Sequence, residues 1–445
     1  MTYIANTDKQ RAEMLERCGV SSMEDLFRAI PASLKPKSFD LPEGMAELEV
    51  FAHFEKLAGR NHTDLVTFLG AGFYDHFIPA AVDAIAGRSE FYTAYTPYQA
   101  ELSQGTLQAI YEYQTYICRL TEMDVSNASV YDGGTALYEA CQMAIAATGR
   151  RKVVVDGGVN PIHRKMVHSF AKNLAIDFSE TEVGPRRMER KKLSDLIDRS
   201  TAAVVLQNPN FFGVIDDQSD IVKLCHEKGA LAIQSVNPIA CAIIKTPGEM
   251  GFDIATGEGQ PLGLPVSFGG PYLGFMAARR SLVRKMPGRI AGRTVDVHGQ
   301  EGFVLTLQAR EQHIRREKAT SNICTNQALC ALRAHIYLSL LGTEGLKQVA
   351  RICRDKAHYA KQRLKRISGI EVIESGPTFN EFTIRLPFGA SECIDLMIEK
   401  GFAAGFPLGR YYPGLDNYLL VALTEKRTKY EIGWFAEALE SVICR

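Results

Sequence analysis

Several features that mark other classes of protein are missing from this chain. None of its 10 cysteines belongs to a C-x-x-C pair, and the sequence has no run of about 18 apolar residues. The 51 Lys and Arg residues balance 51 Asp and Glu residues, so no net charge favours nucleic acid or an anionic membrane. The N-terminus lacks the apolar segment of a secretory signal. These absences predict a cytoplasmic protein with free thiols, and they predict neither a membrane span nor a nucleic-acid partner.

The length and pattern of the chain predict three parts. Its 445 residues are 46% hydrophobic, which suits two or three units on a prior of roughly 100–200 residues per domain. Residues 1–62 are charged and helical in pattern, with Ser21 three residues before Glu24 as a helix start, and we interpret them as an arm. Residues 63–326 alternate strand and helix patterns, which predicts a large α/β domain with a mainly parallel sheet. Residues 327–445 predict long connecting helices and a small α+β domain.

Individual elements follow from the same patterns. Short β-branched runs indicate buried strands, and amphipathic stretches indicate helices, one of which closes on Gly229. The long helical segment after residue 327 is interrupted near Gly342 and Gly345. The predicted strands are residues 152–158, 202–210, 230–237, 274–279, 370–375, 381–387 and 417–425, and the predicted helices include 135–148, 219–229, 391–402 and the C-terminal segment.

Two glycine-containing turns and one histidine pair were considered as binding sites. The stretch GAGFYD has Asp75 where a dinucleotide fingerprint needs its third glycine, so it does not predict NAD binding. In SVYDGGTALYEA, residues 132–135 open a helix, and this turn suits either a bound anion or a plain capped loop. His163 and His168 are five residues apart rather than four, which does not place both rings on one helical face. We therefore predict no metal site from sequence.

A tyrosine-rich loop is a candidate binding surface. The stretch TAYTPYQAELSQG contains Thr93, Tyr95, Tyr98 and Gln99 around a proline. Aromatic walls with convergent polar groups are typical of small-molecule pockets. A loop that packs against a neighbouring subunit would have the same composition, and the sequence leaves both interpretations open.

A basic segment is the second candidate. The stretch LQAREQHIRREKATSNICTNQ contains Arg310, Arg315 and Lys318, followed by Thr320, Ser321 and Asn322 ahead of a helix. Its cations could bind a carboxylate or phosphate through charge-assisted hydrogen bonds. Salt bridges with the neighbouring Glu311 and Glu317 are the alternative.

Taken in order, these motifs closely resemble the P-protein family of the glycine cleavage system. The resemblance runs from about residue 68 through the long helices and more weakly to the C-terminus, and it is specific to the N-terminal half of the family, which in many bacteria is a separate alpha subunit. The motifs that carry it are FLGAGFYDHFIP, YTAYTPYQAELSQG, NASVYDGGTALYEA, LQNPNFFG, LPVSFGGPYLGF, MPGRIAGRTVD and LQAREQHIRREKATSNICTNQ.

The resemblance implies a type I fold of pyridoxal phosphate (PLP) enzymes, similar to aspartate aminotransferase. In the PLP-bearing half of the family, a lysine that forms the Schiff base precedes a glycine-rich segment, and an aspartate stabilises the pyridine nitrogen. Aligned on LPVSFGGP and ALAIQSVN, these positions hold Gln260 and Gln234 in this chain. A neutral amide can neither form an imine nor supply the carboxylate. The resemblance therefore implies a PLP fold that does not hold its own cofactor.

The resemblance further implies that a beta subunit holds PLP covalently. Together the two subunits, as an α2β2 heterotetramer, would decarboxylate glycine and transfer the aminomethyl group to the lipoyl arm of H-protein. Tyr95, Tyr98, Arg310, Arg315 and Lys318 would then contribute to catalysis across the interface. The residues expected near the partner's PLP are Thr93, Gln99, Thr320, Ser321 and Asn322.

Two alternatives remain open at the level of sequence. The chain could be a non-catalytic scaffold that stabilises its partner or docks H-protein. It could also be a stand-alone PLP enzyme that uses Lys223, Lys245 or Lys318, although none of these lysines has the expected strand-to-glycine context.

Overall fold

The computed structural model describes residues 5–38, 40–182, 184–323 and 327–444. The chain divides into two compact units, Met1–Asp64 and Leu65–Arg445. The first unit ends two residues after the predicted arm. Within the larger unit, the predicted boundary at residue 326 stays a prediction.

Among its described residues, the first unit contains three α-helices, none of which buries a residue. The second helix is capped by Ser22, whose hydroxyl accepts from the Asp25 backbone N–H at 3.3 Å. The predicted capping pair is Ser21 and Glu24. The observed pair, Ser22 and Asp25, lies one residue later, because the Asp25 carboxylate accepts from the Ser22 N–H and completes the capping box. The helices are α1 (Asp8–Arg17), α2 (Met23–Leu26) and α3 (Glu47–Ala58).

The larger unit contains all the strands of the described residues. Its strands are β1 (Val66–Thr67), β2 (Val125–Ser126), β3 (Lys152–Val155), β4 (Asp177–Glu180), β5 (Thr201–Asn208), β6 (Leu231–Val236), β7 (Ile254–Glu258), β8 (Gly274–Ala278), β9 (Ile290–Val295), β10 (Glu301–Thr306), β11 (Glu371–Val372), β12 (Glu381–Arg385), β13 (Phe402–Ala403), β14 (Phe406–Pro407) and β15 (Tyr418–Ala422). Its helices are α4 (Ala80–Ala86), α5 (Ser89–Tyr92), α6 (Gln104–Thr121), α7 (Gly133–Thr148), α8 (Pro161–Ala171), α9 (Arg190–Leu196), α10 (Ser219–Lys228), α11 (Pro247–Met250), α12 (Gln312–Arg315), α13 (Ala328–Leu364), α14 (Ala390–Ile398) and α15 (Lys429–Ile443). Among the described residues, no helix is both long enough and apolar enough to cross a membrane.

The main sheet has seven strands in the order β2-β8-β7-β6-β5-β3-β4. Strands β3 to β7 pair in parallel, whereas β8 is antiparallel to both β7 and β2. The predicted α/β class with a mainly parallel sheet is confirmed, and so are the predicted strands β3, β5, β6 and β8. Strand β7 was not predicted, because its sequence IATGE is half polar or glycine.

Both faces of the main sheet are covered. Side chains along a strand alternate between faces, so Val153 and Val155 lie in one buried cluster with Leu137 and Met143 of α7. Val154 lies in the cluster on the opposite face. Because both faces are buried, most of β3 and β5 is a continuous apolar run rather than an alternating one.

The C-terminal part of the larger unit forms a second, antiparallel sheet in the order β11-β12-β15-β14. Helices α14 and α15 and the second half of α13 bury their apolar faces against it in one hydrophobic cluster. The predicted interruption of α13 is confirmed at Gly342, where φ is 59° and ψ is −173°. At Gly345, by contrast, α13 continues without a break. The antiparallel hairpin of β9 and β10 was not predicted.

Candidate functional site

The carboxyl ends of three parallel strands lie side by side at one edge of the main sheet. Strands β5, β6 and β7 end there at Asn208, Val236 and Glu258. In open α/β sheets, ligands bind outside this edge. A mainly polar cavity of about 40 Å³ lies at this place, with His163, Glu258 and Glu381 among its lining residues. A cavity of this size has room for a few water molecules.

The N-terminus of α7 points into the same region, and three of its first four backbone N–H groups, those of Gly133, Thr135 and Ala136, donate to groups of this chain. Asp132 caps the helix by accepting from the Thr135 N–H at 2.7 Å. Glu258 Oε2 accepts from the Gly133 N–H at 2.9 Å. A side chain at Gly133 would place its Cβ 3.0 Å from the Glu258 backbone nitrogen, so any larger residue would be tightly packed here. A helix N-terminus favours an anion or another hydrogen-bond acceptor, and the side chains of Asp132 and Glu258 supply the acceptor oxygens here.

Glu258 is held by three backbone donors although it is only 5% exposed. Its Oε1 accepts from the N–H groups of Gln260 at 2.9 Å and Leu273 at 3.0 Å. Burial raises the pKa of Glu258 to about 8, and the three hydrogen bonds oppose that rise. The side chain therefore joins α7 to the loop that follows β7.

Gln260, at the position where the resemblance expects a lysine, is fully engaged in hydrogen bonds. Its Nε2 donates to the carbonyl oxygens of Tyr74 at 3.0 Å and Leu264 at 2.8 Å. Its Oε1 accepts from the Tyr74 N–H at 2.8 Å. Gln260 is 1% exposed. Its amide group therefore forms a buried pair of hydrogen bonds with the backbone of Tyr74, which lies 186 residues earlier in the sequence.

Gln234, at the position where the resemblance expects an aspartate, is also buried and uncharged. Its Nε2 donates to Gln218 Oε1 at 2.8 Å. His163 lies in the same region, and burial lowers its pKa to about 4. Within the described part of the chain, Gln234 Oε1 and His163 Nδ1 have no hydrogen-bond partner. Neither side chain carries a charge that would stabilise a pyridinium ring at neutral pH.

These residues do not fit PLP. The cofactor needs a lysine amine, a carboxylate beside its ring nitrogen and an anion site for its phosphate. The first two positions hold Gln260 and Gln234, and the third is taken by Glu258. No lysine is among the residues that line the cavity. Lys223 and Lys318 are exposed, and Lys245 Nζ lies 3.0 Å from Asp217 Oδ2. None of these three lysines is among the residues that line the cavity, where a stand-alone PLP enzyme would need one.

Two further residues of this region were missed by sequence reasoning. Glu381, at the start of β12, accepts from the Ala71 N–H and the Tyr74 hydroxyl, each at 2.6 Å. Burial raises the pKa of Glu381 to about 7, and burial and the adjacent carboxylate raise that of Tyr74 well above its usual value. Because the partners lie about 310 residues apart, no local pattern could have signalled the pair.

The predicted tyrosine loop lies on the surface, after α5. The side chains of Tyr95 and Tyr98 are 79% and 58% exposed, and Gln99 is exposed as well. Thr93 Oγ1 donates to the Ser89 carbonyl oxygen at 2.6 Å, which ends α5. The Tyr98 ring lies under the guanidinium of Arg289, with 5.7 Å from Cζ to the ring centre.

Arg310, from the basic segment, is turned inward onto backbone carbonyls. Its Nε donates to Leu307 at 2.9 Å, its Nη2 to Gly288 at 3.0 Å, and its Nη1 to Met286. Burial lowers the pKa of Arg310. These contacts fasten the basic segment to the turn before β9.

The rest of the basic segment is largely exposed, and residues 324–326 at its end lie outside the described residues. In the described part, neither Glu311 nor Glu317 forms an ion pair with Arg310, Arg315 or Lys318, so the salt-bridge interpretation is not supported. The exposed side chains are Arg315, Lys318, Thr320 and Asn322.

Ser321 connects the basic segment to α7. Its hydroxyl accepts from the Ile323 N–H at 3.0 Å and also interacts with Glu139 of α7. Burial raises the pKa of Glu139 to about 7, and the Ser321 hydrogen bond opposes this rise. Glu139 is thus a buried acid directly beneath the basic segment.

The structure brings the two predicted motifs together, but away from the polar cavity. Tyr98 contacts Arg289, and Arg310 binds the neighbouring Gly288, so that both motifs meet at residues 286–289. We call the surface made by residues 93–99 and 310–322, which meet over the mostly buried turn 286–289, the exposed face. None of its residues lines the cavity at the sheet edge.

The family of the chain is shown by its match to known sequences. Residues 1–439 match the family model of the glycine cleavage system P-protein. A protein of Maridesulfovibrio salexigens named probable glycine dehydrogenase (decarboxylating) subunit 1 is 56% identical over 443 residues, with full coverage of both chains. A protein of the same name from Geotalea uraniireducens is 54% identical, again with full coverage of both chains.

Solved structures agree with this result. A crystal structure of glycine decarboxylase (P-protein) of the glycine cleavage system, in inhibitor-bound form, matches with a TM-score of 0.93 and 41% identity, and covers 99% of this chain and 100% of that chain. A sphingosine-1-phosphate lyase of Burkholderia pseudomallei, at 15% identity, TM-score 0.66 and coverage of 93% of this chain and 94% of its own, shares the fold alone. The predicted type I fold of PLP-dependent enzymes is confirmed, and the chain belongs to the glycine cleavage system P-protein family.

Proposed function

We propose that the chain is the alpha subunit of a glycine dehydrogenase (decarboxylating), and that a separate beta subunit holds the PLP. Its full-length similarity to proteins named subunit 1 supports a two-subunit enzyme. The observation that carries the proposal is the hydrogen bonding of Gln260, which the resemblance aligns with the family's Schiff-base lysine and whose amide bonds to this chain's backbone in the described structure. The chain therefore depends on another subunit for the cofactor chemistry.

In this proposal PLP, bound by the beta subunit, supplies the electron sink for the loss of CO₂ from glycine. The aminomethyl group then passes to the lipoyl arm of H-protein. Two copies of each subunit form an α2β2 heterotetramer in the cytoplasm. This proposal assigns no step to the cavity described above, because its two carboxyl groups, Glu258 and Glu381, are hydrogen-bonded to groups of this chain.

The exposed face is the part of this chain that we propose to act across the subunit interface. Tyr95 and Tyr98 supply aromatic surface and two hydroxyl groups, which suit a wall of the partner's pocket. Arg315 and Lys318 carry positive charge with no ion pair among the described residues, which suits binding of a carboxylate or phosphate. The side chains that complete this surface near the partner's PLP are Thr93, Gln99, Thr320, Ser321 and Asn322.

Arg310 has a different part in this proposal. Three of its N–H groups are used on the carbonyls of Leu307, Met286 and Gly288, which leaves less capacity for an external anion. We therefore assign Arg310 to positioning the basic segment against the turn that meets the tyrosine loop.

The experiment is a reconstitution assay. CO₂ release from glycine is measured with lipoylated H-protein for the purified chain, for its beta subunit and for the mixture. The proposal expects turnover only in the mixture. Full turnover by the beta subunit alone would reduce this chain to a scaffold, and turnover by this chain alone would refute the assignment.

A further inference from the structure

A second group of buried polar side chains lies apart from the cavity and the exposed face. His76, Cys353 and Glu425 each offer one ligand atom, and these atoms lie within 4.8 Å of one another. A thiol, an imidazole and a carboxylate are the ligand types that zinc uses in proteins. We propose that these three side chains bind one divalent transition-metal ion, with zinc the best suited.

The three residues come from distant parts of the sequence that the fold holds firmly together. His76 follows β1, Cys353 lies on the second half of α13, and Glu425 lies three residues after β15. The Thr424 hydroxyl donates to the Asp75 carbonyl oxygen at 2.8 Å, so the segments carrying His76 and Glu425 are joined beside the site. Ligands held on rigid elements are already oriented before a metal binds.

The distances suit a tetrahedral ion after a small adjustment. Cys353 Sγ lies 3.4 Å from Glu425 Oε2, and a tetrahedral zinc site with a sulfur and an oxygen ligand requires about 3.5 Å. His76 Nδ1 lies 2.7 Å from the same oxygen, and the metal would widen this distance to roughly 3.3 Å. Three protein ligands leave the fourth position for water or an added ligand.

The three ligand groups lie in a buried setting. His76 is 5% exposed and Cys353 is fully buried. When His76 Nδ1 binds the ion, the proton of the neutral imidazole lies on Nε2. Glu425 Oε1 is fixed by the Phe77 N–H at 2.6 Å, which leaves Oε2 directed at the other two ligands.

Charge balance favours a divalent ion. On binding, the Sγ–H bond of Cys353 breaks, an Sγ–metal bond forms, and the proton passes to solvent. The thiolate and the Glu425 carboxylate then neutralise the two charges of the ion, while His76 binds as the neutral imidazole. Lys356 is the nearby cation that opposes binding, but its ammonium is directed at the Glu425 backbone carbonyl. The other charged groups that face Lys356 are Arg427 and Glu431.

The test uses the purified full-length chain. After chelator dialysis, the protein is titrated with Co²⁺ while the thiolate-to-Co²⁺ charge-transfer absorbance is recorded, and zinc content is measured on the protein as purified. We expect about one ion per chain and an absorbance that grows as pH rises. Cys353→Ser should abolish the charge-transfer band, and Glu425→Gln should weaken Co²⁺ binding at least about tenfold.

Cys393→Ser is the matched control, because Cys393 is also fully buried but belongs to no ligand group among the described residues. The control should keep the charge-transfer band. The proposal is overturned if the wild-type chain binds neither Co²⁺ nor zinc, or if the band persists in Cys353→Ser. If Cys353→Ser fails to fold, Glu425→Gln keeps the test decisive, because an unchanged Co²⁺ affinity in that variant would also overturn the proposal, and no step depends on glycine turnover.

Discussion

The polar cluster at the sheet edge and the exposed face use similar residue types in opposite ways. At the sheet edge, Gln260 and Glu258 direct their hydrogen bonds at this chain's own backbone. On the exposed face, Tyr95 is 79% exposed, and Arg315 has no ion pair among the described residues. Polar groups inside a protein must be satisfied internally, whereas polar groups outside can be satisfied by a partner.

The two regions therefore differ in role. The sheet edge is where this fold would bind a cofactor, whereas the exposed face is where the chain can contact a partner. The sheet edge keeps the geometry of a ligand site, but its groups are used to hold the fold together. The exposed face instead offers aromatic, hydroxyl and cationic groups at the surface. We infer that the sheet edge contributes stability and that the exposed face contributes to catalysis. Four predictions follow from this comparison.

The largest expected effect is on stability at the sheet edge. Gln260→Leu removes three hydrogen bonds and leaves the Tyr74 N–H, the Tyr74 carbonyl and the Leu264 carbonyl without this partner. We expect the free energy of unfolding to fall by about 4 kcal/mol, since each orphaned group costs roughly 1–3 kcal/mol. Urea unfolding of the purified chain measures this change.

Gln108→Leu is the control for this prediction. Gln108 is exposed on α6 and contacts Glu112 of the same helix, so its replacement should change the unfolding free energy by less than about 0.5 kcal/mol. Equal unfolding free energies for Gln260→Leu and wild type would mean that the hydrogen bonds between Gln260 and Tyr74 contribute nothing to stability.

The second prediction concerns Glu139, which lies between the two regions. Burial raises its folded pKa to about 7 from 4.5, so its contribution to stability is complete below pH 4.5 and is lost as pH rises through 7. Glu139→Gln stays neutral, and we expect the stability of wild type relative to this variant to fall by about 3 kcal/mol between pH 4.5 and pH 8. Urea midpoints across this range measure it, and parallel pH profiles would contradict it.

The third prediction tests the exposed face. Arg315→Ala removes a cation that we propose binds an anionic group, and loss of one charge-assisted hydrogen bond costs about 2 kcal/mol. Glycine turnover with the beta subunit should fall roughly 30-fold, while gel filtration still shows the assembled pair. Arg351→Ala, an exposed arginine on α13, should retain full turnover. Unchanged turnover in Arg315→Ala would remove Arg315 from the proposal.

The smallest expected effect is at Tyr95. Tyr95→Phe keeps the ring and removes only a neutral hydroxyl, which is worth about 1 kcal/mol. We expect turnover to fall about fivefold with no change in unfolding free energy. Tyr430→Phe serves as the control because Tyr430, on α15, is 80% exposed. An equal loss in both variants would show that the effect is not specific to the tyrosine loop.

Much of the fold could be predicted because its signals are local. Strand β5 is a continuous apolar run, and Gly229, with a φ of 71°, marks the end of α10. Strand β7 escaped prediction because its burial comes from tertiary packing rather than from an apolar sequence. The β9–β10 hairpin escaped for a related reason, since each of its strands mixes apolar with polar residues and is partly exposed.

The site could be predicted only in part. The resemblance directed attention to Gln260, but no pattern near Gln260 identifies Tyr74 as its partner, because the two are 186 residues apart. Arg310 shows the opposite problem, since a cationic sequence does not reveal that its guanidinium faces backbone carbonyls. His76, Cys353 and Glu425 form no short metal-binding motif in the sequence, because they lie on three separate segments that only the fold brings together.

The most direct test of the central claim is to locate the PLP. The chain, its beta subunit and their mixture are incubated with PLP and reduced with borohydride, and the labelled lysine is identified by peptide mapping. Our account predicts no label on this chain alone and a label on the beta subunit in the mixture. A labelled lysine on this chain would contradict the assignment of Gln260 to the Schiff-base position and the division between the two regions.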